Sequence, residues 1–473
     1  MNADVLSLCE AMRAAGGRAM LVGGWVRDRL LGIDSKDFDI EVYGLEPQRL
    51  REVLEQIGQV NTVGEHFSVY KLVSQSARFI GSQTSSSTDD AERIEIDVSL
   101  PRRESKSGRG HRGFVIEGDP GMSFEDAARR RDFTINAILY DPLSDETLDP
   151  FGGKKDLRLR ILRAVSADTF IEDSLRVLRA VQLAARFEMT IDPATRELCL
   201  TIELSDLPRE RIWGEIEKLL TLAEHPSIGL QAALELEVLT RLFPEIHALV
   251  GWPQDDTPLH EDVFAHTKRS MDEAVKLAGD LSKAKRIAVV LATLCHELGK
   301  PLTRSPVDSV SSKDHDKRVV ELTRPVLNKL GLHSIGGYDV RSQVLELVRE
   351  HGKPNEFYQS AETTDGDFRR LAQRVDLDLV YRVAKACSLG AGSDPTAEDW
   401  FIRRARALGV DHGPLPPLLQ GRHLLEAGFE PGPQMGRVLR RVYELQMDGE
   451  VTNLADALAA AGPPVKAFSP NEP

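Results

Sequence analysis

An apolar run, Ala19-Met-Leu-Val22, stops at Gly23-Gly24 and gives way to a helix-like Trp25–Leu31, after which Asp37-Phe-Asp-Ile-Glu-Val42 alternates polar and apolar residues. Period 2 marks that last segment as a strand, and this order of strand, glycine turn, helix and strand constrains the fold more than any other feature. Two glycines at a helix entrance leave backbone N–H groups open to a phosphate chain. Arg27, one turn into the helix, can add a charge-assisted donor. Asp37 and Asp39 are two apart on a strand, so their carboxylates leave one face. Paired hard oxygens beside a phosphate cradle suit Mg2+. Two such ions can activate an attacking hydroxyl and neutralise a leaving pyrophosphate. Asp97, on the later strand Ile94-Glu-Ile-Asp-Val98, is a candidate third carboxylate with Glu95 in phase, although both can equally face solvent.

Two further constellations carry chemistry. In Arg129-Arg-Arg-Asp-Phe-Thr-Ile-Asn-Ala137, three arginines beside Asp132 suit a triphosphate and a ribose hydroxyl, with Phe133 packing inward. Glu172-Asp173-Ser-Leu-Arg176 stands at the front of an expected helix, Asp173–Phe187, and its positions 173 and 176 share a face. Taken alone this is a first-turn acid with a local salt bridge. Taken as a reader, the carboxylate accepts from the exocyclic amine of C or A while the guanidinium donates to the ring nitrogen beside it. U and G would leave both groups unpaired, a basis for strong rejection.

The 473 residues suggest about three domains. Residues 1 to about 150 mix helical and strand patterns, with Phe67–Val73 and Arg93–Ser99 as further strands and Gly81–Asp90 as a polar loop. Almost continuous helix follows, including Pro208–Leu222, Ile228–Leu242 and Val263–Leu277. Proline-rich breaks near 413–417 and 431–433 open a last segment, and the tail after Ala461 is expected to fray. The 60 Lys plus Arg against 74 Asp plus Glu leave a formal charge of −14, which argues against a general nucleic-acid coat. Two basic runs, Pro101–Gly113 (Arg102, Arg103, Lys106, Arg109, Arg112) and Lys154–Arg163, are either focused polyanion contacts or solvated faces. The longest apolar stretch, Ile287–Cys295, is far short of the ~20 residues that span a bilayer, so no membrane partner is expected. No leader pattern opens the sequence, and Cys9, Cys199, Cys295 and Cys387 are scattered, as in a reduced, cytoplasmic protein.

The set Gly-Gly-x-Val-Arg-Asp, Asp-x-Asp, Arg-Arg-Asp-Phe-Thr-x-Asn-Ala and Glu-Asp-x-x-Arg resembles the class II tRNA nucleotidyltransferases, the CCA-adding enzymes. Glu210-Arg211-Ile212 with Glu215 and Lys218-Leu-Leu220 is similar to that family's next helical motif, and Gly421-Arg422 with Pro431-Gly-Pro433 to its bacterial tail. The resemblance implies an α+β fold: a small polymerase-β-like nucleotidyltransferase head with a mixed or antiparallel sheet, then an all-helical neck, body and tail, over 1–150, 151–225, 226–410 and 411–473. It implies catalysis and metal binding by Asp37 and Asp39, with Mg2+ as cofactor. Gly23, Gly24, Arg27, Arg130, Arg131, Asp132, Asn136 and Arg179 would contact the nucleotide, and Asp173 and Arg176 would select CTP or ATP. The partner implied is the 3′ acceptor end of tRNA, for a monomer or homodimer. The loop at Pro101–Gly113 stands where the family has its flexible loop.

Specialised A-adding or CC-adding enzymes and bacterial poly(A) polymerases share most of these motifs, although Gly64-Glu-His-Phe-Ser-Val-Tyr-Lys71 is nearer the tRNA enzymes. His266 and His296-Glu297-Leu-Gly-Lys300 resemble an HD phosphohydrolase pattern, with Glu297 in place of Asp and Ala386-Cys387-Ser388 where a last Asp is expected. A soft thiol is a poor substitute for a hard oxygen. The expectation is therefore a decayed metal site. Readings of a different class are an HD-type hydrolase with a vestigial head, or a non-catalytic RNA-binding protein.

Overall fold

The structure, a computed structural model, describes residues 2–62, 69–73, 95–106, 114–253, 262–303 and 312–463. The chain divides into two compact units, Met1–Leu219 with Ile228–Leu242, and Leu220–Ser227 with Phe243–Pro473. Arg109, Arg112, the 81–90 loop and most of Gly64–Lys71 lie outside the described residues.

The first unit opens with α1 (Ala3–Ala14), β1 (Arg18–Leu21), α2 (Gly24–Leu30), β2 (Phe38–Tyr43), α3 (Pro47–Ile57), β3 (Gln59–Thr62), β4 (Val69–Val73) and β5 (Glu95–Ser99). After β6 (Arg102–Lys106), β7 (Phe114–Gly118) and α4 (Phe124–Arg129), a 3-10 turn at Thr134–Asn136 leads to β8 (Leu139–Asp141) and β9 (Glu146–Leu148). Seven strands form one sheet in the order β3-β4-β5-β2-β1-β8-β9. Only the β2–β5 pair is parallel among its described ladders, so the sheet is mixed, as expected. Alternation fixes its faces: Phe38, Ile40 and Val42 are buried, while Asp37 and Asp39 emerge opposite. The Pro101–Gly113 run departs from a plain loop, because Arg102–Lys106 pairs antiparallel with Phe114–Gly118.

The helical part of this unit runs through α5 (Gly153–Leu159), β10 (Ile161–Leu162), α6 (Ala167–Phe170), α7 (Leu175–Phe187), β11 (Thr190–Ile191), α8 (Pro193–Thr201) and α9 (Arg209–Leu222). A Cβ at Gly153 would fall 2.2 Å from the Thr134 carbonyl oxygen, so only glycine lets α5 lie against the 3-10 turn. The parallel β10–β11 pair interrupts the helix expected here. The Lys154–Arg163 run is also not a uniformly solvated face. Arg160 donates to the Phe187 carbonyl at 2.6 Å, and Arg163 pairs with Asp192 at 2.5 Å and Asp156 at 3.2 Å. The single helix expected over Ile228–Leu242 is two, α10 (Pro226–Glu235) and α11 (Val238–Leu242), because Glu237 takes a left-handed φ of 55°.

The second unit is helical: α12 (Pro244–His247), α13 (Val263–Leu277), α14 (Lys283–Cys295), α15 (Lys300–Thr303), α16 (Ser312–Leu330), α17 (Val340–Glu350), α18 (Lys353–Gln359), α19 (Asp365–Ala372), α20 (Leu377–Gly390) and α21 (Thr396–Ala407). Its apolar run Ile287–Cys295 is the buried C-terminal part of α14, packed by α13, α17 and α20. No described helix is long and apolar enough to cross a membrane. The last helices, α22 (Gly421–Glu426), α23 (Pro433–Asp448) and α24 (Leu454–Ala461), close on Leu424, Val442, Val451 and Ala457.

Candidate active site

β1 ends at Leu21, and the Val22 N–H donates to the Asp39 carbonyl at 3.0 Å, so the glycine turn leaves the sheet beside the acidic strand. Gly23 has φ +69°, and a Cβ there would fall 3.1 Å from Arg131 Nη1 and 3.3 Å from Asp39 Oδ2. Glycine is thus favoured by the left-handed backbone, and the two charged groups that meet over it leave little room for a methyl. Arg131 Nη2 donates to Glu41 Oε1 at 2.9 Å. Glu41 follows Asp37 and Asp39 in phase on the strand, a signal present in the sequence but not used there.

Asp97 lies next to Asp39 across the parallel pair, Asp39↔Asp97, and Lys71 is opposite Asp97 in turn. Lys71 Nζ stands 3.7 Å from both Asp97 and Glu95. Although solvent reaches the Asp39 side chain, its carboxyl is held above the usual carboxylate range. Surrounding protein is the first cause; Asp97, Asp37 and Glu41 add to it, against the pull of Arg131. A carboxyl held above its ordinary range among crowded hard oxygens is one that a divalent cation relieves. The donors present therefore fit such an ion.

Other expected nucleotide contacts are placed elsewhere. Arg27 departs from a free phosphate donor: it is 4 % exposed, bonds Asp28 Oδ1 at 2.6 and 2.8 Å and Asn136 Oδ1 at 2.8 Å, and stacks 4.3 Å over Phe187. Asn136 passes the network on to Asp132 at 3.0 Å. Asp132 also accepts from the Phe133 N–H at 2.7 Å and from Arg179 Nε at 2.6 Å. Burial pushes the Asp132 carboxyl up, but Arg179, Asn136 and Arg176 more than offset it and bring it to about 2. Arg27, Asp132 and Asn136 thus form a buried network that fixes the turn and the 3-10 segment, rather than an open triphosphate cradle. Arg130 and Gly24 flank it, and the Arg130 carbonyl accepts from Arg176 Nη2 at 2.6 Å.

Helix α7 begins two residues later than the sequence pattern suggests, with Ser174 as its N-cap, so Asp173 precedes the helix. The Arg176 N–H donates to the Asp173 carbonyl at 3.0 Å, but the two side chains turn to other partners. Asp173 Oδ1 accepts from the Leu175 N–H at 3.1 Å and Oδ2 from Arg211 Nη2 at 2.8 Å, while Arg176 Nη1 donates to the Thr169 carbonyl at 2.7 Å. Arg179 also stands 3.7 Å from Glu215. Arg211 and Glu215, which the sequence marks only as a motif, are therefore supports of this edge.

In the second unit, His266, His296 and Glu297 are buried, with ligand atoms all within 4.8 Å of one another. The two Nε2 atoms are 3.1 Å apart. Burial, then His296, lowers the His266 imidazole to about 3. Burial, then Glu297 and Glu398, holds the Cys387 thiol well above its ordinary value.

Known proteins were then compared. The Poly A polymerase head domain family matches residues 19–163, "Probable RNA and SrmB- binding site of polymerase A" matches 188–250, and the HD domain matches 263–392. A "Multifunctional CCA protein" of Xanthomonas campestris is 32% identical over 442 residues, covering 89% of this chain and 95% of its own. The protein of that name from Pasteurella multocida is 38% identical over 324 residues, 67% of this chain and 70% of its own. Among solved structures, a Bacillus stearothermophilus CCA-adding enzyme in complex with CTP aligns over 97% of this chain and 98% of its own, with a TM-score of 0.60 and 20% identity. A Thermotoga maritima CCA-adding enzyme complexed with tRNA aligns over 97% and 96%, with a TM-score of 0.61 and 20% identity. Those two likenesses speak for the fold, a polymerase-β-like head followed by helices. The motifs and the near full-length curated relatives place this chain in the CCA-adding family of tRNA nucleotidyltransferases.

Proposed function

We propose that this enzyme adds C and A, without a nucleic-acid template, to the 3′ end of tRNA from CTP and ATP, with Mg2+ as its ion. The observation that carries the reading is the convergence of Gly23, Arg131 and Asp39 on one sheet face, with Asp97 in register beside Asp39. Asp37 and Asp39, with Asp97, would hold the ion, which supplies charge neutralisation to the phosphates and lowers the pKa of the attacking hydroxyl. The tRNA 3′ oxygen bonds to the α-phosphorus, the bond from that phosphorus to the bridging oxygen breaks, pyrophosphate leaves, and the hydroxyl proton passes to solvent. Arg131, held at 2.9 Å by Glu41 and with Nη1 3.1 Å from where a Cβ on Gly23 would lie, would meet the phosphate chain.

Base choice belongs to Asp173 and Arg176. For Arg176 to donate to a base it leaves the Thr169 and Arg130 carbonyls, to which it donates at 2.7 and 2.6 Å, while Arg211 keeps the carboxylate oriented. The labour divides as 1–150 for chemistry, 151–225 for selection, 226–410 as scaffold and 411–473 for tRNA contact. The setting is the cytoplasm, in keeping with four free cysteines.

The test is incubation with tRNA trimmed of its terminal CCA, plus CTP, ATP and Mg2+. Three added nucleotides support the reading, two or one assign a specialised CC-adding or A-adding enzyme, and long A tails assign a poly(A) polymerase. Salt-sensitive tRNA binding with no product would assign a binding protein and end the proposal.

A further inference from the structure

Lys71 has no part in holding the ion or the triphosphate, yet it stands in line with the acidic set. Antiparallel pairing puts Lys71 of β4 opposite Asp97 of β5, and parallel pairing puts Asp97 beside Asp39 of β2. Tyr70, Leu72, Ile96, Val98, Phe38 and Ile40 are buried. Their neighbours Lys71, Asp97 and Asp39 therefore leave the other face of the sheet in one row. The ammonium is loosely held. Its Nζ lies 3.7 Å from Asp97 Oδ1 and 3.7 Å from Glu95 Oε2, an ion-pair distance beyond that of a hydrogen bond, and the side chain is 40 % exposed. Arg131, at the Gly23 turn, is only 21 % exposed and donates to Glu41 at 2.9 Å. One cation is fixed against the sheet, while the other moves on a flexible stem.

The direction of the reaction separates their work. Nucleotidyl transfer is an in-line displacement, with the attacking oxygen and the leaving pyrophosphate on opposite sides of the α-phosphorus. In the strand order β4-β5-β2-β1, the Gly23 turn follows β1 on one side of Asp39, and Asp97 and Lys71 lie on the other. With the triphosphate over the turn, the RNA 3′ end comes in from the side of Lys71. Asp39, Glu95 and Asp97 repel a phosphodiester there, so a mobile ammonium is what that approach needs.

On the reading that this chain extends tRNA, we propose that Lys71 is a contact for the acceptor strand. Its ammonium rests between Asp97 and Glu95 in the free enzyme, passes to a phosphodiester of the incoming RNA 3′ end, and thereby releases the Asp97 carboxylate to the metal set. Lys71 thus serves the RNA, and Arg131 the nucleotide.

The wild-type full chain is compared with Lys71→Met and with Lys71→Arg, which keeps the charge, on tRNA trimmed of its terminal CCA. Lys71→Met raises the KM for that tRNA about fivefold and leaves the KM for CTP unchanged. It also lowers the salt slope of tRNA binding by about 0.7, measured by fluorescence anisotropy without nucleotide. Lys71→Arg retains the wild-type values. Electron paramagnetic resonance of Mn2+ supplies a readout independent of activity. Without RNA, Lys71→Met binds the ion in the head about threefold more tightly than wild type, because Asp97 has lost its counter-ion. Ions held elsewhere in the chain bind both proteins alike and cancel. Unchanged tRNA affinity and salt slope in Lys71→Met overturn the proposal, as does a raised KM for CTP alone. Equal Mn2+ affinity in the two proteins overturns the release of Asp97. Absence of extension by the wild-type chain would instead end the tRNA-extending reading.

Discussion

Replacing Arg179 by Met tests the ion pair at the centre of the buried network that sets the glycine turn. Asp132 is 7 % exposed, and Arg179 Nε approaches its Oδ2 to 2.6 Å. Its carboxyl falls from the ordinary 3.8 to about 2 in the folded chain. At 1.36 kcal/mol per pKa unit, that depression is worth about 2 kcal/mol of folding stability. Because the folded value lies below the unfolded one, this stability is complete above pH 3.8 and is lost as pH falls through about 2. Without Arg179 the strongest lowering influence goes while burial, which raises the value, remains. The expected loss at pH 7 is therefore about 3 kcal/mol, the lower end of what breaking a buried pair costs. Urea unfolding of the full chain, followed by circular dichroism at pH 7 and pH 3, measures it. The difference from wild type narrows at pH 3, where the variant's Asp132 takes up a proton, and Asp132→Asn in the Arg179→Met background restores stability. A loss under about 1 kcal/mol, or one equal at both pH values, refutes the electrostatic account.

Asp37→Ala and Asp39→Ala abolish nucleotide addition with little change in melting temperature, since both side chains are exposed, and single-turnover extension of trimmed tRNA checks it; retained extension removes their metal role. Arg211→Ala frees Asp173 Oδ2 from its 2.8 Å contact and lowers the preference for CTP over UTP about tenfold, the equivalent of roughly 1.4 kcal/mol, as measured by relative kcat/KM. An unchanged ratio would show that the Leu175 N–H alone holds the carboxylate. Gly23→Ala, whose methyl meets Arg131 and Asp39 at 3.1 and 3.3 Å on a backbone at φ +69°, costs about 1–2 kcal/mol of stability and depresses kcat more than KM; wild-type kinetics would refute the close approach.

Much of the site was legible because its chemistry is written in local spacing. Strand alternation at Asp37–Val42 predicts which face carries Asp37 and Asp39, and the burial of Phe38, Ile40 and Val42 agrees. The α13 helix has the limits its 3.6-residue period predicts, Val263–Leu277. What the sequence could not show was a partner far along the chain. Arg27 reads as a phosphate donor from its place in the helix, yet its acceptor, Asn136, is 109 residues away. Asp173 and Arg176 read as a pair from i, i+3 spacing, but Arg211 lies 38 residues on and takes the carboxylate.

The amino-acid sequence by itself determined the family, the acidic strand, the glycine turn and the helical character of the remainder, because these depend on residue type and on periods of two or 3.6 along the backbone. Only the tertiary structure decided which charged groups stay open to a ligand and which neutralise one another. A guanidinium or carboxylate bonds whatever the fold brings within about 3 Å, and that distance is set by packing between segments with no fixed separation in sequence.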